Sequence, residues 1–177
     1  MNREYFIVRL DRDLRYVIQP LNLPDAKELK ELDEYAPFFV ARQDVQEYSD
    51  YLEKQPYPRN TCRLVSDKMK RILEKYSPAT FFKSLVFIDN VQMRQEVYWL
   101  MEPPVLAAIS PHSQVERPGL PSGRIRKLVL EREKVGSEAI FTLRDTLAPY
   151  LIVNLGVAES MLRRDAWGIQ LERVKVV

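Results

Sequence analysis

RLVSDKMKRILEKYSPATFFKSLVF (Arg63–Phe87) carries the clearest local code in the chain. Leu64 and Val65 read as the end of a strand. Ser66 stands where its hydroxyl accepts an otherwise unpaired backbone N–H of a first helical turn, a cap worth ~1 kcal/mol. Met69, Ile72, Leu73 and Tyr76 follow at i, i+3, i+4 and i+7 and form one apolar face, with Lys68, Lys70, Arg71, Glu74 and Lys75 around the rest. Pro78 blocks continuation, because it has no N–H to donate and its ring collides with the preceding turn. The next strand, FFKSLVFID, contains an unbroken apolar run at Leu85–Ile88, the pattern of a strand covered on both faces.

The chain closes on the same order. LIVNLGVAESMLRRDAWGIQLERVKV (Leu151–Val176) reads as a strand at 150–153, a helix near 156–164 and a strand at 169–176. At an offset of about 88 residues Val65 lies over Val153, Ser66 over Asn154, Met69 over Val157 and Leu73 over Met161. The residue identities are poor, so the match is one of supersecondary units. Each helix stripe needs a sheet to bury it, which predicts an α+β fold. The expected architecture is a mixed, mostly antiparallel, twisted sheet or sheets with short amphipathic helices and two strand–helix–strand units. We expect a single domain over 1–177, with 1–60 and 61–177 as sub-lobes.

Outside these units the signals are weaker. EYFIVRLDRDLRYVIQ alternates on both sides of Asp11–Arg12–Asp13 and predicts a hairpin. A short helix is expected at Leu29–Leu32 and a short strand at 38–41. DVQEYSDYLEK places Val45, Tyr48 and Leu52 at helical spacing behind Asp44. A strand is expected at 96–101, then a break at Pro103–Pro104 and a second apolar segment at 105–109. RIRKLVLERE and EAIFTL read as two strands joined around Gly136–Ser137.

Composition narrows the class. The 177 residues are 46% hydrophobic and 29% charged, with a net charge of +2, the balance of a soluble globular chain rather than a dedicated nucleic-acid binder. A single cysteine, Cys62, excludes an internal disulfide. The opening MNREYFIVRL carries charges inside its first apolar stretch, unlike a secretory signal, and no apolar run approaches the roughly 18 residues of a membrane helix. A cytoplasmic protein is the expectation.

A strand entering a helix at a glycine raises two chemical readings for the closing segment. A phosphate loop needs several glycines so that backbone N–H groups reach the anion, and Gly156 stands alone between Leu155 and Val157. A nucleophile elbow needs Gly-x-Ser-x-Gly, and Ser160 lies inside the helical pattern instead. The segment reads as structure, with Asn154 or Gly156 as the cap and Arg163 and Arg164 complementing the helix dipole. His112, the only histidine, lies in SPHSQ beside serines. A hydrolase or transferase using His112 with a nearby Ser or Cys62 is one alternative, although a general base needs an orienting partner. One Cys and one His do not make a thiolate–imidazole metal site, and no cofactor is expected. Arg124, Arg126 and Lys127 follow a Gly/Pro loop and offer a second alternative, an anion or nucleic-acid contact. Tyr35, Phe38, Phe39, Tyr48, Tyr51 and Tyr57 fall in a poorly patterned stretch. Tyrosine suits protein interfaces because it buries much area and keeps a polar tip. Tyr48, Tyr51, Tyr57, Arg124 and Arg126 are therefore the candidate partner-binding residues.

Ile140–Phe141, the apolar strand Leu151–Val153, the helix residues Val157–Leu162 and the Gly168–Leu171 strand resemble, in that order, the closing part of the immunity protein eleven family of bacterial polymorphic toxin systems. LVSDKMKRILEKYSPATFFKSLVF fits the same pattern, and the resemblance covers 62–177. The family's helix cap is usually serine, where this chain has Asn154. The resemblance implies a cytoplasmic, non-enzymatic protein that binds and neutralises a cognate toxin. It carries over neither catalytic nor contact residues and leaves self-association open. Neither a membrane partner nor nucleic acid is expected.

Overall fold

The structure is a computed structural model and describes residues 4–42, 46–54, 62–116, 124–144, 146 and 150–177. In chain order the described residues form β1 (Tyr5–Leu10), α1 (Ala26–Glu31), β2 (Ala36–Phe39), β3 (Tyr51–Lys54), β4 (Cys62–Ser66), α2 (Asp67–Leu73), β5 (Phe81–Asp89) and β6 (Arg94–Glu102). They continue as β7 (Val105–Leu106), β8 (Gln114–Glu116), β9 (Arg124–Lys127), β10 (Val129–Leu130), α3 (Arg132–Val135), β11 (Ile140–Leu143), β12 (Leu151–Asn154), α4 (Leu155–Arg163) and β13 (Ile169–Val176). One sheet runs β2-β5-β6-β4-β3, another β10-β13-β1-β12-β11-β7, and β8 and β9 make a separate pair. The fold is α+β, with mixed sheets and short helices.

The two large sheets repeat one design. Strands β4 and β5 are each antiparallel to β6, so they run parallel to each other, joined through α2, with β6 between them. Strands β12 and β13 flank β1 in the same sense and are joined through α4. Outside these, β2 lies parallel to β5 and β10 parallel to β13, while β3 and β11 lie antiparallel to β4 and β12. Register agrees as well: Tyr51 faces Val65 as Ile140 faces Val153, and Glu53 faces Arg63 as Thr142 faces Leu151. The repeat is circularly permuted, because the central strand of the first unit is its last in sequence, whereas the second unit takes the first strand of the chain.

The helices are capped at equivalent positions. Ser66 Oγ accepts the Met69 N–H at 3.1 Å, and Asn154 Oδ1 accepts the Val157 N–H at 3.0 Å. Both helices turn their apolar stripes into one cluster: Val65, Met69 and Leu73 with Val153, Val157 and Met161, joined by Val8, Tyr51 and Ile140. Each such side chain contributes roughly 1.5–3 kcal/mol when fully withdrawn from water. The opposite sheet faces carry their own clusters, one around Leu64, Leu85, Phe87, Tyr98 and Leu100, the other around Tyr5, Phe141, Ile152 and Val174.

Four local expectations are corrected. Strand β1 does not form a hairpin with Leu14–Ile18. Both its edges are filled by β12 and β13, and Asp11 instead closes a turn by accepting the Asp13 N–H at 3.0 Å. Residues 46–50 are not helical, and Tyr51–Lys54 is a strand; Asp44 and Val45 lie outside the described residues. Tyr76 sits beyond the end of α2, exposed, with its hydroxyl 2.5 Å from Ser160 Oγ. The segments around Gly136–Ser137 do not pair with each other, since β10 joins β13 and β11 joins β12, with α3 between them.

Candidate functional site

Strand β3, the last of its sheet among the described residues, borders a cavity of about 370 Å³, within the roughly 300–1,000 Å³ range of small binding sites. Leu10, Val17, Leu52 and Leu64 give it an aliphatic lining, and Glu53 gives it one carboxylate. Glu53 Oε1 accepts the hydroxyl of Tyr51. Burial pushes the Glu53 carboxyl above its ordinary value, against the lowering effects of the Tyr51 bond and the Arg63 and Arg9 charges. Among the described residues, the buried Nε of neighbouring Arg63 has no hydrogen-bond partner. Arg9 pairs with Glu172, 2.9 Å from its Nε, and lies over the Tyr150 ring.

The candidate partner residues separate. Tyr51, a candidate partner-binding residue from the sequence, is fully buried and belongs to the central core. Its strand position turns the ring inward, and burial raises the phenol's pKa well above the ordinary tyrosine value. Tyr48 is half-buried. Its hydroxyl donates to Asp89 Oδ2 at 2.8 Å, and the Arg94 guanidinium lies 3.9 Å from its ring centroid. Asp89 Oδ1 also accepts the N–H groups of Val91 and Gln92, both at 2.9 Å. The Gln92 bond is the largest cause holding the Asp89 carboxyl below the usual range. Tyr48 thus braces the β5–β6 turn, where Met93 is 87% exposed at φ 52°. Tyr57 lies outside the described residues. Arg124 and Arg126 lie on β9, with Arg126 and Lys127 exposed.

The residues of the enzymatic alternative are not brought together. Cys62 is fully buried in the cluster on the outer face of the β2–β6 sheet. His112 is exposed in the turn after β7, where its N–H donates to Ser110 Oγ at 3.3 Å. Ser113 Oγ is engaged with both the N–H and the carbonyl of Val129. Ser160 lies on α4 against Tyr76, as its helical spacing suggested.

Sequence reading missed Asp50. Its carboxylate is buried, accepts Ser66 Oγ–H at 2.5 Å and the Trp167 N–H at 2.7 Å, and pairs with Lys68 Nζ at 2.7 Å. One side chain thereby ties β3, the start of α2 and the α4–β13 turn together. It stood among many surface-like acids, and no local pattern distinguished it.

Among the described residues, no cluster of three or more His, Cys, Asp and Glu side chains is arranged to hold a metal ion, and no helix is long and apolar enough to cross a membrane. No curated protein matches the chain. A family model described as the immunity protein family (Imm11) matches residues 8–176, extending the resemblance seen in the C-terminal part through both sheets. The chain belongs to the Imm11 immunity protein family.

Proposed function

We propose that this protein is a non-enzymatic immunity protein that acts in the cytoplasm by binding one cognate toxin and blocking its activity. The observation that carries this reading is the family match across residues 8–176, nearly the whole chain. The buried state of Cys62 and the separate engagements of Ser113 and Ser160 weigh against the alternative in which one of them serves as a nucleophile. A binding protein also gives a role to the exposed apolar side chains at Met93 and Trp167, which lie outside the core clusters.

The test is co-expression with the toxin domain encoded beside this gene, combined with a pull-down of the two purified proteins. Restored growth and a stable complex are expected, and His112→Ala should protect as well as the wild type. Failure to bind or inhibit that toxin would overturn the reading. Protection abolished by His112→Ala in a folded protein would favour the catalytic alternative.

A further inference from the structure

The repeat shows what an occupied β3 edge looks like. In the second unit the equivalent strand, β11, is not an edge: β7 lies along it in parallel, with Thr142 opposite Val105. The Thr142 N–H donates to the Pro104 carbonyl at 2.8 Å and the Arg144 N–H to the Leu106 carbonyl at 2.8 Å. Glu53 is the counterpart of Thr142, because both face equivalent residues on the preceding helix's strand, Arg63 and Leu151. The Ser66 N–H donates to the Asp50 carbonyl, which sets the β3–β4 ladder so that the Glu53 N–H and C=O point away from β4. Nevertheless, among the described residues, β3 ends its sheet. Residues 17–21 form the far wall of the cavity rather than a paired strand. Their backbone bonds go elsewhere: the Ile18 N–H to Glu47, the Leu21 N–H to Phe39, and the Gln19 carbonyl to the Ala41 N–H.

We propose that the β3 edge at Glu53 is a strand-addition site. It takes an extended apolar segment of the protein partner, running parallel to β3 as β7 runs along β11. The segment's backbone pairs with Glu53, and one of its side chains fills the cavity between Leu10, Val17, Leu52 and Leu64. An open edge with outward N–H and C=O groups templates such pairing. The proposal rests on the reading of this protein as a partner-binding protein and names the surface used.

The probe is a blocked pentapeptide with the sequence of residues 103–107, Pro-Pro-Val-Leu-Ala, titrated into the full chain and followed by NMR. Saturable shifts are expected at the Glu53 amide and at the methyls of Leu10, Val17, Leu52 and Leu64, with slowed hydrogen exchange at the Glu53 N–H. N-methylation of the peptide's leucine removes its pairing donor and should weaken binding about five- to tenfold, the effect of one backbone hydrogen bond. Glu53→Pro should weaken it similarly, since an edge strand tolerates proline where the N–H points outward, while Glu53→Gln should retain it. Absence of shifts up to about 10 mM peptide or equal binding of the N-methylated peptide would overturn the proposal. So would peptide-independent shifts that grow with protein concentration, which would assign the edge to a second copy. If Glu53→Pro does not fold, the N-methylated peptide decides alone. Equal toxin protection by folded Glu53→Pro would overturn strand addition and leave the toxin reading standing. Peptide pairing without toxin neutralisation would overturn only the latter.

Discussion

Tyr5 and Tyr98 make the same hydrogen bond in the two halves of the molecule. Tyr98 donates to the Ser49 carbonyl at 2.8 Å and Tyr5 to the Glu138 carbonyl at 3.3 Å, each acceptor lying two residues before the equivalent positions Tyr51 and Ile140. Removing either hydroxyl leaves a carbonyl without that donor. Tyr98→Phe should cost about 1–2 kcal/mol and Tyr5→Phe about 0.5–1 kcal/mol, the shorter, fully buried bond losing more. Urea unfolding of both variants checks the ranking, and equal costs would count against it.

The two caps should differ in the same way. Asn154→Ala removes one N–H acceptor and should cost ~1 kcal/mol. Ser66→Ala also removes a donor to the buried Asp50 carboxylate, so its cost should exceed that of Asn154→Ala by about 1 kcal/mol. Thermal unfolding of the single variants measures the difference.

Two glycines should respond with opposite sign. A Cβ on Gly168 would lie 2.3 Å from Ser49 Oγ and 2.9 Å from Leu14 Cδ1, at φ +76°. Gly168→Ala should therefore destabilise by roughly 2–4 kcal/mol, from overpacking together with a left-handed backbone. At Gly156 the nearest atoms are Asn154 Oδ1 at 3.6 Å and Tyr76 Cε1 at 3.8 Å, ordinary contact distances. Gly156→Ala should stabilise α4 by up to about 1 kcal/mol. A destabilised Gly156→Ala would show that this glycine does more than start a helix.

Glu53 should leave a mark on the pH dependence of stability. Burial raises its native pKa above the ordinary 4.5. The native chain then holds a proton that the unfolded chain has released, so this group's contribution to stability falls as pH rises from 4.5 through the native value. Relative to Glu53→Gln, the wild type should gain stability as pH is lowered across that window and show a flat difference above it. Denaturant unfolding at a series of pH values reads this directly. A gain on raising the pH would mean that the Arg63 and Arg9 charges outweigh burial.

Much of the fold could be read one segment at a time. Asp25 caps α1 through the N–H groups of Lys27 and Glu28, at 2.8 and 2.9 Å, close to the expected Leu29–Leu32 piece. The expected strand over FFKSLVFID is β5, but its apolar run is not covered on both faces: Leu85 and Phe87 share the buried face, while Val86 and Ile88 on the other are only half-buried. Tyr48 and Leu52, read with Val45 as a helical face, misled because an interval of four residues fits both a helix and an extended strand beside a bend. Ser49 resolves the ambiguity: its Oγ accepts the Tyr51 N–H at 3.2 Å and donates to the Tyr51 carbonyl at 2.8 Å, holding the chain extended.

By itself the sequence determined what is local: the Ser66 cap, a second cap at Asn154 or Gly156, the stripes of α2 and α4, the apolar run within β5 and the order shared by the two units. These follow from backbone donors needing acceptors within a turn and from side-chain periods of 3.6 and 2 residues. Only the tertiary structure decided that β1 completes the C-terminal sheet, that β7 covers β11 while β3 is left at an edge among the described residues, and that Asp50 and Tyr51 lie inside. A strand's pattern says which face is buried, but its hydrogen-bonding edges are the same whatever the partner. The choice of partner therefore rests on packing between segments far apart in the chain.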